Sequence, residues 1–226
     1  MPSYYFILKE LMENSGDSIQ ADKMSAYMKN QFIFYGIPSS QRKNLYKDFL
    51  KLEKKRHTIN WNLLDECFYD EHREFQYFVC DYLSTLSSYL TFEDLNKIKI
   101  FIQKGNWWDI TDALDTVIGD IGLRDIRIKQ VMIEWSKSDN IWLKHTSIDH
   151  QLLYKDKTDT EVLSIILLNC IGSKEFFINK AMGWALRQYS KTDPEWVISF
   201  LDQYKEKLSS LTMKEASKYI TKKRDV

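Results

Sequence analysis

The sequence predicts an all-α chain: a solenoid of stacked antiparallel helix pairs forming a single domain over residues 1–226. Three observations predict it. Glycine (7) and proline (3) are scarce, and the prolines stand at positions 2, 38 and 194, so little interrupts long helices. Apolar residues recur at three- and four-residue steps from one end of the chain to the other, and no segment alternates long enough to read as a strand. Polar residues leading into large apolar or aromatic ones open helices at REF (73–75), NWW (106–108), NIW (140–142) and EFF (175–177). The large residues Phe75, Trp108, Trp142 and Phe177 are then 33, 34 and 35 apart, the spacing of HEAT or tetratricopeptide helix pairs, in which each pair buries its apolar face against its neighbours. Such stacks curve, and the four openings are expected to begin the helices of the inner, concave wall.

In chain order, the first two helices, 3–14 and 20–33, rest on apolar spacing. The third, 39–55, starts at Ser39 and Ser40 ahead of QRK, whose hydroxyls suit a helix start. Spacing gives 61–69, and REF opens 72–88. Thr91 ahead of FED starts 92–103, and NWW opens 107–120. Spacing again gives 124–137, NIW opens 140–154, spacing gives 160–172, and EFF opens 175–191. Asp193 with Pro194 in the first turn starts 194–207, and Thr212 ahead of MKE starts 212–223.

At 226 residues, 44% apolar and 14% aromatic, the chain has ample material for a core and is expected to be globular. Three cysteines, Cys67, Cys80 and Cys170, make an odd count in apolar helical contexts and read as buried thiols of a reducing cytosol. No basic-then-apolar leader and no apolar run of membrane-spanning length appears, so a cytoplasmic protein without a membrane partner is expected. Formal net charge is zero, which argues against a nucleic-acid partner on average. The average hides a dipole. RKNLYKDFLKLEKKR (42–56) carries seven basic and two acidic residues, 65–74 carries five acidic and one basic, and the tail from Lys205 to Asp225 is basic again. A cationic binding face backed by an acidic one fits this pattern, as do solvated helix faces.

The stretch KGNWWDITDALD (104–115) concentrates two indoles and three aspartates in one amphipathic helix. Residues i and i+4 share a helical face, so Trp108 and Asp112 are neighbours, whereas Trp107 is rotated about 100° away and can enter the core. Asp109 and Asp115 lie farther round and are expected to be solvated. In NKAMGWALRQYSK the same arithmetic puts Trp184 and Arg187 on one face. A tryptophan in a helical repeat is more often core than site, and a lone aspartate more often a surface group, so the pattern alone leaves a functional groove and ordinary packing both open. The four histidines, at 57, 72, 145 and 150, make no metal-ligand motif, and no HExxH, CxxC or glycine-rich phosphate loop occurs. No metal or other cofactor is expected. What a carboxylate beside indole faces can do without a metal is stabilise a cation. The reaction that develops one is glycoside or nucleoside cleavage through an oxocarbenium-like transition state.

NWWDITDALD, SDNIWLKH, GSKEFFINKAMGWALRQYSKTDP and ADKMSAYMKNQFIFYGIPSSQRKNLYKD resemble segments of the AlkD-type DNA glycosylases, over residues 5 to 220. These are HEAT-like-repeat enzymes that excise positively charged N3- and N7-alkylated purines. The resemblance implies a right-handed solenoid with a concave DNA-binding face, acting as a monomer on duplex DNA that contains alkylated bases. It implies that Trp108 and Trp184 are the sugar-facing tryptophans, that Asp112 is the catalytic aspartate, and that Tyr27 and Arg187 are groove residues. The family usually has arginine where NIWLKH ends; here the residue is His145, which is expected to make a weaker phosphate contact. Further phosphate contacts are expected from Arg42, Lys43, Lys144 and Lys180, with Tyr27 near the minor groove and the damaged base left in the duplex. An alkylated purine departs neutral, so no general acid is required. One carboxylate at about 4 Å and an effective dielectric of about 20 is worth roughly 4 kcal/mol, about a thousandfold in rate. That suffices for a weakened bond and not for a normal purine. Two other functions stay open: a DNA-binding paralogue with little or no excision, which His145 favours, and a helical-repeat scaffold for a protein partner.

Overall fold

Thirteen α-helices dominate residues 3–220, the part of the computed structural model that is described, and no strand occurs among them. One isolated parallel bridge joins Ile33 to His72. The chain divides into two compact units, Met1–Leu90 and Thr91–Val226. No helix of the described residues is long and apolar enough to cross a membrane.

The first unit holds α1 (Tyr4–Ser15), α2 (Ser18–Tyr27), α3 (Ser39–Arg56), α4 (Trp61–Phe68) and α5 (Arg73–Thr85). Both α1 and α5 pack on α3 and α4, around a fully buried aromatic core of Tyr46, Phe68, Phe75, Phe78 and Tyr82. Each such ring contributes roughly 1.5–3 kcal/mol by leaving water. The expected helix 20–33 runs instead from Ser18 to Tyr27. After it Lys29 and Asn30 turn left-handed, with the Asn30 N–H donating to the Ser25 carbonyl and the Ser25 hydroxyl to that of Phe32. Glu74 then anchors the returning loop: its buried carboxylate accepts from the backbone N–H groups of Tyr35, Gly36 and Ile37 at 3.1, 2.9 and 3.2 Å. Gly36 has φ +88°, and a Cβ there would stand 2.0 Å from the Asp17 carbonyl oxygen, so no other residue fits. Most charges of 42–56 and 65–74 do lie at the surface; Glu74 and Arg42 are among the exceptions, as is Glu53, 1% exposed and accepting from Tyr82 Oη at 2.8 Å.

The second unit holds α6 (Leu95–Gly105), α7 (Trp108–Gly122), α8 (Arg127–Trp135), α9 (Ile141–Asp149), α10 (Thr160–Cys170), α11 (Phe176–Tyr189), α12 (Pro194–Tyr204) and α13 (Ser210–Ala216). Here α7, α9, α11 and α13 pack side by side in chain order. A second row covers them: α8 on α7 and α9, α10 on α8, α9 and α11, and α12 on α11. The expected repeat openings do begin helices, at Arg73, Trp108, Ile141 and Phe176. Thr91 closes a capping box with Asp94, but on a 3-10 turn (Phe92–Asp94) that leads into α6. Asp193 caps α12 through the Trp196 N–H, with Pro194 at the first position. The last helix is capped by Ser209 and not by Thr212, which is buried and donates its hydroxyl to the Asn179 carbonyl of α11; residues 221–223 of the expected helix lie outside the described residues. The expected helix 140–154 stops at Asp149, because the Gln151 side chain binds the Asp159 backbone in both directions and turns the chain. At Gly183 of α11 an added Cβ would lie 2.5 Å from the Glu215 Cβ of α13, the close approach that seats these two helices together. Cys67, Cys80 and Cys170 are buried free thiols, as expected.

Candidate active site

Packing of α7 on α9 gathers ionisable side chains that sequence spacing splits between two helices. Asp112 and Asp115 stand one turn apart on α7, and His145 and Asp149 one turn apart on α9. Asp112 Oδ1 is 3.7 Å from His145 Nε2, Asp115 Oδ2 is 3.4 Å from His145 Nδ1, and Asp149 Oδ2 is 3.9 Å from Nε2. Three carboxylates thus surround one imidazole. Asp115, His145 and Asp149 are 3–4% exposed, and only the Asp112 side chain, at 33%, reaches solvent. Asp112 Oδ1, both Asp115 oxygens, Asp149 Oδ1 and His145 Nδ1 are enclosed and make no hydrogen bond.

The charge states follow from this crowding. Burial opposes the imidazolium, but Asp115, Asp149 and Asp112 outweigh it and lift His145 to about 9. Burial pushes Asp112 up to about 7; His145 draws it back down, while Asp115 and Asp109 add to the rise. Burial also carries Asp149 well above the usual carboxylate range. Near neutrality the ring is charged and Asp112 is poised between its two forms. Asp112, Asp115 and His145 each bring one possible ligand atom to within 4.8 Å of the others, a spacing that a cation would fit. Both ring nitrogens face carboxylates, however, and an imidazolium with two N–H groups supplies that cation itself.

Contrary to expectation, Trp107 is not on the helix: it precedes α7 in extended backbone, and like Trp108 it is half-buried. Trp107, the residue before α7, packs on Trp142 and Phe177 at ring separations of 6.0 and 5.6 Å, tying the starts of α7, α9 and α11 together. Trp142 Nε1 donates to Asn106 Oδ1 at 2.8 Å. Trp108 is half-buried, one turn before Asp112. On α11, Trp184 is also half-buried and sits between Lys180 Nζ and the Arg187 guanidinium, 5.6 and 5.5 Å from its ring centre. Both cations are held by Glu215 of α13, at 3.3 and 2.9 Å, and Lys218 adds a third contact at 2.6 Å. The Lys218 hydrogen bond, then that of Lys180, keeps the Glu215 carboxyl below its ordinary range.

The expected site residues therefore fall into separate groups. Asp112 meets His145, with Trp108 one turn earlier on α7, and Trp184 stands with Lys180 and Arg187 on α11; α7 and α11 both pack on α9. Lys144 is half-buried on α9 beside His145. Tyr27, Arg42 and Lys43 belong to the first unit. Tyr27 is 73% exposed at the end of α2, and Lys43 reaches Asp81 at 3.2 Å. Arg42 is 6% exposed, tied to Tyr46 Oη and Asp81 and laid over the Tyr77 ring, so it is a structural ion and not a phosphate contact. His145 corrects a second expectation: a phosphate beside it would add a fourth anion to the three that already enclose the ring. Asp115, expected in solvent, is buried under α9. Sequence reasoning passed over Asp149 and Glu215, although the four-residue step from His145 to Asp149 is visible in the sequence.

A family model described as DNA alkylation repair enzyme matches residues 8–220. Among solved structures, a predicted DNA alkylation repair enzyme from Enterococcus faecalis is 32% identical, with 91% of this chain and 96% of that chain covered and a TM-score of 0.83. A search of curated proteins gives no match.

Proposed function

This chain belongs to the DNA alkylation repair enzyme family, and from that premise we propose that it is a DNA glycosylase that hydrolyses the N-glycosidic bond of positively charged N3- and N7-alkylated purines in duplex DNA. The observation that carries the reading is Asp112: a carboxylate with one oxygen enclosed against His145 and the rest of the side chain one-third open, one turn from the half-buried Trp108. The C–N bond breaks with its electron pair going to the cationic purine, which leaves neutral. Positive charge passes to the sugar, where Asp112 opposes it and the negative faces of Trp108 and Trp184 suit it. Water adds to the anomeric carbon and gives its proton to Asp112 or to solvent. Weak bonds alone yield to this machinery, so selectivity follows substrate reactivity and the base can remain in the duplex.

The side-by-side order of α7, α9, α11 and α13 in the second unit supports HEAT-like stacking of helix pairs. The enzyme acts as a cytoplasmic monomer without a cofactor, and sequence-independent phosphate contacts from Lys43, Lys144, Lys180 and Arg187 hold the duplex. The capture of Lys180 and Arg187 by Glu215 favours a second reading, a DNA-binding protein with little excision. Release of 7-methylguanine or 3-methyladenine from methylated duplex DNA separates the two: free base supports the glycosylase, and salt-sensitive binding without base release supports the second.

A further inference from the structure

We infer that His145 is a positioning residue: clasped by Asp112 and Asp115 of α7 and Asp149 of its own helix, it is a built-in counter-ion that favours the charged form of Asp112 and fixes its orientation. This rests on the glycosylase reading and adds to it the device by which a half-buried carboxylate is ionised over a useful part of the neutral range. An acid in this place is subject to two forces that neutralise it: loss of water and the neighbouring carboxylates Asp115 and Asp109. Among the described residues, His145 is the cation that opposes them. The other helices packed on α9, namely α6, α8, α10 and α11, bring no charged side chain into an ion pair with the ring among the described residues.

The geometry separates the roles of the three aspartates. Asp115 faces Nδ1 and fixes the ring from one side, leaving Nε2 to Asp112 and Asp149. Asp149, four residues on from His145 and 3% exposed, cannot meet substrate and acts only through the ring. Asp112 Oδ1 is enclosed against Nε2, so its exposure belongs to its other atoms, which are left to face the sugar. The ring also lies 6.2 Å from that of Trp142, whose Nε1 is tied to Asn106, so the start of α9 is braced against the loop before α7. An exposed lysine in this place would exchange freely with solvent and hold no orientation; an enclosed imidazolium does not.

The test compares wild type with His145→Gln and His145→Lys on two readouts. The first is the pH profile of single-turnover 7-methylguanine release. His145→Gln should move the acid limb upward by about one pH unit or more, a roughly tenfold loss at pH 7 that is largely recovered by pH 9, with duplex affinity unchanged. His145→Lys, which restores a cation, should move the limb back. The second readout needs no DNA: the 13C titration of the Asp112 carboxyl, which His145→Gln should shift upward by the same amount. If His145→Gln does not fold, Asp149→Asn serves: it removes a carboxylate from the ring, and the 15N titration of His145 should fall. An acid limb and an Asp112 titration that are both indifferent to residue 145 would overturn the inference. So would loss of wild-type excision in chelator with recovery on adding zinc or manganese, because the ring would then be a ligand. A wild type that releases no base would sink the glycosylase reading, and the DNA-free titrations would still decide whether His145 favours the charged form of Asp112.

Discussion

Arg187 Nη1 lies 2.9 Å from Glu215 Oε2, so the guanidinium that the sequence offers to DNA also pairs with a carboxylate of the protein. The carboxylate is 4% exposed and also holds Lys180 and Lys218. Its removal leaves three cations for the phosphates. Glu215→Gln should tighten duplex binding several-fold at low salt and steepen the dependence of log K on log salt by about one. It should also lower stability by about 1–2 kcal/mol through the weakened contacts to charged groups. Fluorescence titrations at three salt concentrations read the first effect, and weaker binding at every salt would show that the cluster does not face DNA.

The second prediction concerns the pH dependence of the wild type. Asp112 acts in its ionised form, and burial holds it near 7. Its active fraction therefore grows as pH rises from 6 to 8. An ordinary carboxylate would be fully ionised throughout that range and give a flat profile. Single-turnover base release at constant ionic strength should climb with a slope near one up to about pH 7 and then level. A profile flat from pH 5.5 to 8.5 would remove Asp112 from the limiting step.

Stability in acid should be governed in part by His150. It is 3% exposed, its Nδ1 is 2.7 Å from the Ser147 carbonyl oxygen, and burial pushes it down to about 4. A histidine whose folded pKa is depressed contributes stability that is present above the unfolded value of about 6.5 and is lost as pH falls towards 4, up to about 3 kcal/mol. Urea midpoints of wild type should drop between pH 6.5 and 4 more steeply than those of His150→Gln. Parallel curves would mean that the ring titrates normally.

The contact between α11 and α13 is predicted to be intolerant of volume. A Cβ on Gly183 would meet the Glu215 Cβ at 2.5 Å and the Thr212 carbonyl oxygen at 3.2 Å. Gly183→Ala should therefore destabilise by about 1–3 kcal/mol, although alanine is the better helix former. An increase in the urea midpoint would show that the two helices can separate at no cost.

Helix positions were legible where a local cap marks them, as at Asp193 with Pro194, and where apolar spacing persists. They were not legible where distant groups end a helix: the loop beyond α2 is held by Glu74, and the end of α9 by Asp159. The same division runs through the site. Trp108 and Asp112 are paired by helical spacing alone. Whether Asp115 meets water or an imidazole depends on α9, about thirty residues on, and no property of KGNWWDITDALD states it. His145 invited comparison with arginines that touch phosphate, and only the packing of α7 on α9 reveals that its partners are carboxylates. Glu215, from the last helix, decides what Arg187 is free to do.

The most direct measurement is base release from methylated duplex DNA by wild type and Asp112→Asn in parallel, with duplex affinity measured on both. The account predicts free 7-methylguanine or 3-methyladenine from wild type. It predicts a loss of two or more orders of magnitude in the variant, a loss of the size a single carboxylate can supply (about 3–4 kcal/mol), with affinity nearly unchanged. Equal excision by the two proteins would contradict it.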